Sequence, residues 1–501
     1  MKKYICDSCG YIVANSVLDN NFICPICGAN KDSFSEINDD NINLDSIIDS
    51  VIEEAFEEKT SRIVNESVED KKIKISEVNP SIMRINEKCI NCGGCKKTCE
   101  KVVNISYDLN KCREPICIGC GQCILNCPTG ALVPKYCYKE VKQIIDENNK
   151  IVVALTSPAV RVSIGEQFGL ASGENAERKL VASLKKLGFD YVFDTSFGAD
   201  LTILEEVAEF ASRLSNKGPI PQFTSCCPAW VKYAEIYHPE LLPNISTCKS
   251  PIGMQCAIIK SYFCEVKKID PSKIITVAIT PCTAKKMEAK YYTENIDYVM
   301  TASELSLLLK EENIKLDTLN EEKYDALLGE SSGSGVMFGT TGGVCESVIR
   351  TLNRIMTRKN LKKDELIFEE LREYKGIKEA VVNIDKYKLK VAVVEQLENL
   401  EELLKDNRYK KYHFIEVMNC KGGCVGGGGQ PLCPIKDMDE YRLNRSKGLF
   451  DIDKKRLVRC AHDNQELKLL YKNYLKKPLS EKSYKLLHTS FSDKSNLLCD
   501  K

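Results

Sequence analysis

Two short cysteine runs constrain this chain more than any other feature of its sequence. Residues 89–99 read CINCGGCKKTC and residues 117–128 read CIGCGQCILNCP, so each is a C-x2-C-x2-C-x3-C run. This spacing is typical of proteins that bind two 4Fe-4S clusters, in which the fourth cysteine of each run ligates the other cluster. The runs therefore predict one cluster on Cys89, Cys92, Cys95 and Cys127, and a second on Cys117, Cys120, Cys123 and Cys99. Clusters of this kind only carry electrons, so another part of the chain must use those electrons.

A second cysteine group stands at the start of the chain. Cys6, Cys9, Cys24 and Cys27 form two C-x-x-C pairs, and four such thiolates suit one tetrahedral metal ion. Residues 1–35 resemble a short rubredoxin-like module that binds one iron, but a structural zinc ribbon has nearly the same spacing. Residues 36–80 are predicted to be an acidic linker with one docking helix, because apolar residues from Ile47 to Phe56 recur at helical spacing.

Composition excludes several classes of function. Lys plus Arg equals Asp plus Glu at 71 each, so the overall charge does not favour nucleic acid or an anionic membrane surface. No apolar run reaches the roughly 18 residues that a membrane-spanning helix needs, and the first residues contain no apolar signal segment. Twelve of the 26 cysteines fall in groups built on C-x-x-C spacing, which indicate metal sites rather than disulfides in a cytoplasmic protein. We therefore expect a soluble, cytoplasmic metalloprotein.

Beyond Pro134 the pattern changes to apolar runs that alternate with amphipathic segments. The predicted strands lie in KIVVALTSP, YVFDTSF, KIITVAITP, DYVMTA, LKVAVVEQ and KYHFIEVM, and Thr301 with Glu304 forms a capping box. This alternation predicts an α/β domain with mostly parallel sheets, over residues 145–491, after a ferredoxin-like domain at 81–140. Ligands of such folds bind in the loops beyond the carboxyl ends of the strands.

Cysteines stand at three of these predicted loops. The strand-like PQF leads to TSCCPAW with Cys226 and Cys227, KIITVAIT leads to PCTAKKMEA with Cys282, and KYHFIEVM leads to NCKGGCVGGGGQP with Cys420 and Cys424. A single cysteine at such a place is commonly a small buried apolar residue, and the last loop alone fits either a metal site or a tight turn with two buried thiols. Three such loops behind a pair of electron-carrying clusters favour a metal site.

The three loops TSCCPAW, TPCTAKKMEA and EVMNCKGGCVGGGGQP resemble the signature loops of FeFe-hydrogenases, which interconvert protons plus electrons with hydrogen gas. LTSPAVRVSIGEQFG, FGTTGGVCESVIR and the late EKSYKLLHTSF are also similar to that family, so the likeness spans about residues 84–491. The resemblance implies a catalytic domain of doubly wound, mostly parallel sheets that ends in a wrapping segment. It also implies ferredoxin or a similar electron carrier as the partner.

The resemblance further implies an H-cluster, which is a 4Fe-4S cubane joined to a di-iron subsite with CO, cyanide and azadithiolate ligands. Matching positions assign Cys227, Cys282, Cys420 and Cys424 to the cubane, with Cys424 bridging to the di-iron subsite, which maturation proteins supply. Lys285 is expected to donate a hydrogen bond to a cyanide. Pro158, Phe338 and Met418 are expected to shield the subsite.

A proton route is implied in the same way. It would run from Cys226 through Glu206, Ser246 and Glu209, with Arg213 near its outer end and Glu288 in a second role beside Lys285. Without the resemblance, the spacing of Glu206, Glu209 and Arg213 would indicate only a solvated helix face.

Thr280 and Cys345 depart from the family pattern, because well-known members carry Met at both positions. The sequence is also compatible with two other functions. A hydrogen or redox sensor would use the same cofactor, but such members usually carry an added signalling domain. An iron–sulfur assembly scaffold would share the fold without the di-iron subsite, and Cys226, Lys285 and Glu288 argue against that function.

Overall fold

The computed structural model describes residues 2–7, 12–15, 18–20, 22–24, 29–37, 71–105, 116–361, 366–371 and 375–498. The chain forms two compact units, Met1–Asp70 and Lys71–Lys501. The predicted linker helix lies outside the described residues. Among the described helices, none is both long enough and apolar enough to cross a bilayer.

The first unit contains a three-stranded antiparallel sheet in the order β2-β1-β3. Its strands are Lys2–Cys6 (β1), Ile12–Asn15 (β2) and Phe34–Ile37 (β3), with Cys6 opposite Phe34. Cys6 and Cys24 are buried, and the Cys24 amide donates to the Ala29 carbonyl at 2.8 Å. Cys9 and Cys27 lie outside the described residues, so the metal module at 1–35 stays a prediction.

The second unit begins with the region that carries both cysteine runs. An antiparallel pair, Ile82–Arg84 (β4) and Leu132–Pro134 (β5), joins its two ends. The helices Gly94–Val102 (α1) and Gln122–Leu125 (α2) each begin after a glycine in the left-handed conformation, Gly93 or Gly121. Glycine adopts this conformation without steric cost, which lets each run turn sharply from loop to helix.

A four-stranded parallel sheet forms the next layer, in the order β10-β9-β6-β7. Its strands are Ile151–Thr156 (β6), Tyr191–Asp194 (β7), Ile274–Thr280 (β9) and Tyr298–Thr301 (β10). Apolar clusters cover both faces, which explains why these strands are apolar almost throughout. The predicted capping box of Thr301 and Glu304 is confirmed.

The other sheet has five strands in the order β11-β12-β13-β14-β8. They are Gln222–Phe223 (β8), Glu369–Glu370 (β11), Ile377–Ile384 (β12), Tyr387–Glu395 (β13) and Phe414–Met418 (β14). Strands β13, β14 and β8 are parallel, as predicted, but β12 and β13 form an antiparallel hairpin. The sequence pattern did not predict β12, because its buried residues alternate with exposed charged and polar ones.

Helices cover both sheets. They are Tyr138–Glu147 (α3), Glu177–Leu187 (α4), Thr195–Asn216 (α5), Pro228–Tyr237 (α6), Pro251–Ile258 (α7), Cys264–Lys267 (α8), Ala284–Tyr291 (α9), Ala302–Glu311 (α10), Gly333–Met337 (α11), Gly343–Thr357 (α12), Leu397–Leu404 (α13), Met438–Lys455 (α14), Gln465–Leu470 (α15) and Glu481–Leu487 (α16). The longest of the described helices is α5. Asp194 caps its first turn and is paired with the fully buried Arg161 at 2.5 Å. This pair fixes the start of α5 at the carboxyl end of β7.

Candidate functional site

A cavity of about 80 Å³ lies where loops from the four-stranded and the five-stranded sheets of the second unit meet. The strands β6, β8, β9 and β14 all point toward it with their carboxyl ends, as expected for ligand sites in parallel sheets. The predicted residues that line it are Pro158, Cys226, Cys227, Cys282, Lys285, Phe338, Met418, Cys420 and Cys424. The fold thus brings together nine of the residues that the sequence singles out.

Four cysteines line this cavity. Burial, followed by the charges of Cys282 and Cys227, raises the pKa of Cys424 to about 12. Burial, followed by the charge of Cys227, raises the pKa of Cys282 to about 11. Four adjacent thiolates repel one another, so a cationic centre is needed to hold them deprotonated. The cavity volume of about 80 Å³ is several times the roughly 10–15 Å³ that one water molecule requires on the same measure, so its size suits a cluster rather than a single ion.

The glycine-rich loop after β14 explains how the chain can surround such a cluster. Gly423 has φ +84°, and a Cβ there would lie 2.6 Å from the Thr341 amide nitrogen. A Cβ on Gly428 would lie 2.5 Å from the Cα of Gly121 in the second cysteine run. Any side chain at these positions would therefore force the loop away from its neighbours.

Lys285 provides a cation in the cavity wall. Its ammonium donates to Glu288 Oε2 at 2.5 Å and to the Cys226 carbonyl at 3.2 Å, and the Ser250 hydroxyl donates to the other Glu288 oxygen. Burial alone would lower the pKa of Lys285, but the charge of Glu288 raises it above its ordinary value. Lys285 is therefore charged, and Glu288 holds it at the edge of the cavity.

The predicted proton route lies on α5 and the loop before α7. Glu206 is 1% exposed, and neither carboxyl oxygen has a hydrogen-bond partner among the described residues. Burial, followed by the charges of Glu209 and Glu416, raises the pKa of Glu206 to about 8. Burial also raises the pKa of Cys226, and the next cause is the charge of Glu206, which places these two groups near each other.

Glu209 is held much more firmly than Glu206. Ser246 Oγ donates to Glu209 Oε2 at 3.0 Å, and Arg213 donates to Oε1 at 2.6 Å. Arg213 also donates to the carbonyls of Pro219, Pro243, Asn244 and Ile245, which ties its guanidinium to the surrounding loops. Ser246 and Glu209 are thus in direct contact, and Ser246 also lies near enough to Glu206 to oppose part of the rise in its pKa.

Several site residues escaped the sequence pattern. Glu416 is buried in β14, accepts bonds from the Gly342 and Cys345 amides at 2.7 and 2.8 Å, and has its pKa raised to about 7 by burial. In the sequence, the only indication of a role for Glu416 is that it is one acidic residue inside an apolar run. Thr195 and Asn419 line the cavity, and Thr195 Oγ1 and Asn419 Oδ1 are buried without a partner among the described residues.

The two departures from the family pattern occupy different positions. Thr280 ends β9 and lines the cavity directly. Cys345 is not among the residues that line the cavity; it packs in an apolar cluster with three that do, Cys226, Phe338 and Met418. Only Thr280 is therefore placed to touch a bound group.

Cys99 of the first cysteine run lies near the second run. Burial raises the pKa of both Cys120 and Cys123, and the next cause for each is Cys99. Cys95, Cys99, Cys117 and Cys127 pack against the same small core of Ile73, Ile82, Cys123, Ile124 and Leu132.

Two family descriptions match this chain. "Iron only hydrogenase large subunit, C-terminal domain" matches residues 150–428, and "Iron hydrogenase small subunit" matches residues 439–494. The chain belongs to the iron-only hydrogenase family. The loops with Cys226 and Cys282 lie inside the first match, and the loop with Cys420 and Cys424 extends across its end. The second match covers the segment from α14 to α16.

Individual hydrogenases agree with this assignment. The chain is 39% identical over 450 residues to NADP-reducing hydrogenase subunit HndD of Solidesulfovibrio fructosivorans, covering 84% of this chain and 76% of the relative. It is 37% identical over 447 residues to iron hydrogenase 1 of Clostridium pasteurianum, covering 84% and 78%. A solved structure of apo [FeFe]-hydrogenase HydA1 from Chlamydomonas reinhardtii has 36% identity and a TM-score of 0.64, covering 72% of this chain and 99% of that one. The chain is accordingly an oxidoreductase that acts on hydrogen.

A more distant branch is also similar. Cytosolic iron-sulfur assembly component 3 of Mus musculus is 31% identical over 402 residues, covering 75% of this chain and 82% of that protein. The fold is therefore shared with proteins whose names refer to cluster assembly, which makes the content of the cavity decisive for function.

Proposed function

We propose that this iron-only hydrogenase interconverts protons plus electrons with hydrogen gas at an H-cluster in the cavity. The observation that carries the proposal is the meeting of four cysteines from three strand ends with a buried ammonium in one cavity. A structural cysteine site needs no such cation. A cluster with anionic ligands does, because a buried anion requires a donor or a counter-charge.

The residues of the cavity fit this group. Cys227, Cys282, Cys420 and Cys424 would hold the cubane, and Cys424 would be shared with the di-iron subsite. The subsite, when bound, supplies the metal centre at which two protons and two electrons become hydrogen. Lys285 would donate to a cyanide nitrogen, and Pro158, Phe338 and Met418 would keep water from the subsite.

Protons would reach the cavity through the groups on α5. Cys226 would deliver them at the cavity wall, with Glu206, Ser246 and Glu209 behind it and Arg213 at the outer end. An acid transfers protons best when its pKa lies near the working pH, and Glu206 with a pKa of about 8 meets that condition. Glu288 would serve by orienting Lys285 rather than by carrying protons, because its two oxygens are already engaged by Lys285 and Ser250.

Electrons would enter through the ferredoxin-like domain at 81–140, with the two cluster assignments given by the cysteine runs. The proximity of Cys99 to Cys120 and Cys123 supports the exchange of the fourth cysteine between the runs. The N-terminal four-cysteine module would add an iron or a zinc site, and a ferredoxin or similar carrier would be the partner in the cytoplasm. Residues 36–80 would link the module to the catalytic part.

An infrared spectrum tests the proposal. Protein matured with the di-iron subsite should show CO and cyanide bands and should evolve hydrogen from reduced viologen. Cys424→Ser should lose both, whereas Cys433→Ser, at a half-buried cysteine outside the cavity lining, should keep both. A chain with its full iron content but no such bands after verified maturation would instead be an assembly scaffold. Bands without turnover would indicate a sensor.

A further inference from the structure

The second cysteine run touches the cavity loops directly. The Thr283 hydroxyl, next to Cys282, donates to the Gly119 carbonyl at 2.7 Å. On the other side, the Cα of Gly428 approaches Gly121 so closely that neither residue could carry a Cβ without displacement. The loops of Cys120 and Cys420 are thus packed against each other.

Two buried amide side chains fill the space between these loops. Gln122 Nε2 lies 3.1 Å from Cys420 Sγ and 3.0 Å from the Gly426 carbonyl. An amide nitrogen has two hydrogens, so both bonds can form at once. Asn419 Nδ2 lies 3.9 Å from the same sulfur. Gln122 is 2% exposed and Asn419 is 0% exposed, so water does not compete with either.

Both amide nitrogens therefore lie near the Cys420 sulfur, and Gln122 also holds the Gly426 carbonyl. The amides stand where the second cysteine run meets the glycine-rich loop of the cavity.

We propose that Gln122 and Asn419 form an amide bridge to Cys420 that sets the reduction potential of the cavity cubane. The inference rests on the proposed function, because it requires a cubane on Cys420. A cluster gains negative charge on its sulfurs when it is reduced, so an N–H donor stabilises the reduced form and raises the potential. Burial strengthens the effect, since the local dielectric is low.

The two amides differ in their distance from Cys420, and this difference predicts a pattern. Gln122 Nε2 lies 3.1 Å from the Cys420 sulfur and should shift the cubane potential more than Asn419 Nδ2, which lies 3.9 Å away. The two clusters of the ferredoxin-like domain should keep their potentials in both variants. If Gln122 served only to tie the loops together through Gly426, its loss would leave every potential unchanged.

Redox titration monitored by electron paramagnetic resonance tests this pattern in the full chain, matured without the di-iron subsite. The midpoint that disappears in Cys227→Ser identifies the cavity cubane. Gln122→Leu should lower that midpoint alone, and Asn419→Ala should lower the same midpoint by less. Gln143→Leu, the same change at an exposed position on α3, should lower none. Equal iron content in all variants excludes loss of a cluster.

Two different results would contradict the inference, and only one of them would also contradict the proposed function. Unchanged midpoints in Gln122→Leu, or equal shifts of all three, would overturn the amide bridge while leaving the hydrogenase proposal intact. A wild-type chain in which Cys227→Ser removes no midpoint would have no cavity cubane, and the proposed function would then fail together with the bridge.

Discussion

Glu205 and Glu206 are adjacent on α5, and we expect opposite results when each is changed to Gln. Glu206 has two buried oxygens without partners among the described residues. The Glu205 carboxylate accepts from the Tyr471 hydroxyl at 2.6 Å, the Leu479 amide at 2.9 Å and the Ser483 hydroxyl, and it lies 3.2 Å from a ring nitrogen of His488. Glu206→Gln should keep the fold and lose turnover, whereas Glu205→Gln should weaken the fold and keep turnover per loaded molecule.

The effect of Glu206 on stability follows from its pKa. The folded chain holds this proton up to a pKa of about 8, whereas the unfolded chain releases it near the ordinary value of 4.5. The folded state therefore binds more protons in this window, and the stability of the wild type falls as pH rises, by about 1.4 kcal/mol per pH unit. From about pH 6 to about pH 7.5 the loss is about 2 kcal/mol at most. Glu206→Gln has no proton to lose and should not show this decline.

Glu205 behaves differently because its carboxylate already accepts hydrogen bonds from buried donors. An amide has one acceptor oxygen in place of two, so at least one buried donor loses its partner in Glu205→Gln. The cost of an unsatisfied buried donor, together with the weaker bonds to a neutral group, is roughly 2 to 4 kcal/mol. The C-terminal segment that carries Leu479, Ser483 and His488 would be held less firmly.

The assay compares thermal midpoints of both variants and the wild type at two pH values and one scan rate. Hydrogen evolution from reduced viologen is then measured and normalised to the infrared CO bands. We expect Glu206→Gln to evolve hydrogen at least about 100-fold more slowly, since a positioned acid contributes that much or more. Wild-type rates in Glu206→Gln, or a midpoint that declines with pH as steeply as in the wild type, would refute the reasoning.

Substitutions at four further positions give distinct results. Lys285→Met should abolish the CO and cyanide bands while leaving the cubane iron content unchanged, because the di-iron subsite would lose its ammonium donor; Lys285→Arg should retain part of the bands. Arg213→Leu leaves a buried carboxylate without its cation and should cost roughly 3 kcal/mol, seen as a lower thermal midpoint. Cys345→Met adds volume behind the cavity and should alter the ratio of hydrogen oxidation to evolution in film voltammetry without loss of clusters. Cys6→Ser should remove one metal ion per chain by elemental analysis and leave viologen-driven evolution unchanged.

The predictions that succeeded from sequence depended on local patterns. Six apolar runs became strands, and the three cysteine loops followed strands whose carboxyl ends meet at the cavity. Such patterns hold because a buried parallel strand must be apolar on both faces, whatever lies around it. Strand β12 was missed because the exposed Lys378 and Asn383 interrupt its apolar residues, so it contains no long continuous apolar run.

Contacts between distant parts of the chain could not be predicted in this way. Gln122 and Cys420 are 298 positions apart, and nothing in either loop indicates that an amide will meet a thiol there. The contrast between Glu205 and Glu206 is similar, because the two residues differ only in which side of α5 they occupy. The resemblance to a family selected Glu206, but only the structure shows that it lacks partners and that Glu205 does not.

That lack of partners is informative about the chain as a whole. A buried polar group without a hydrogen bond destabilises a fold by roughly 1 to 3 kcal/mol, so folded proteins contain few of them. Among the described residues, Glu206 is the only carboxyl group with both oxygens buried and unpartnered, and Thr195 and Asn419 add two such atoms at the cavity wall. On the opposite side of α5, Glu205 has every bond it needs. Four of the buried unpartnered side-chain atoms of the described residues therefore lie beside the cavity and the proton route, where a bound cluster and moving protons would supply the missing partners; others, on Ser81, Arg84 and His462 for example, lie outside the cavity lining. A ligand that satisfies such groups in the folded state alone also stabilises that state, so loading the cavity and stabilising the domain should be one event.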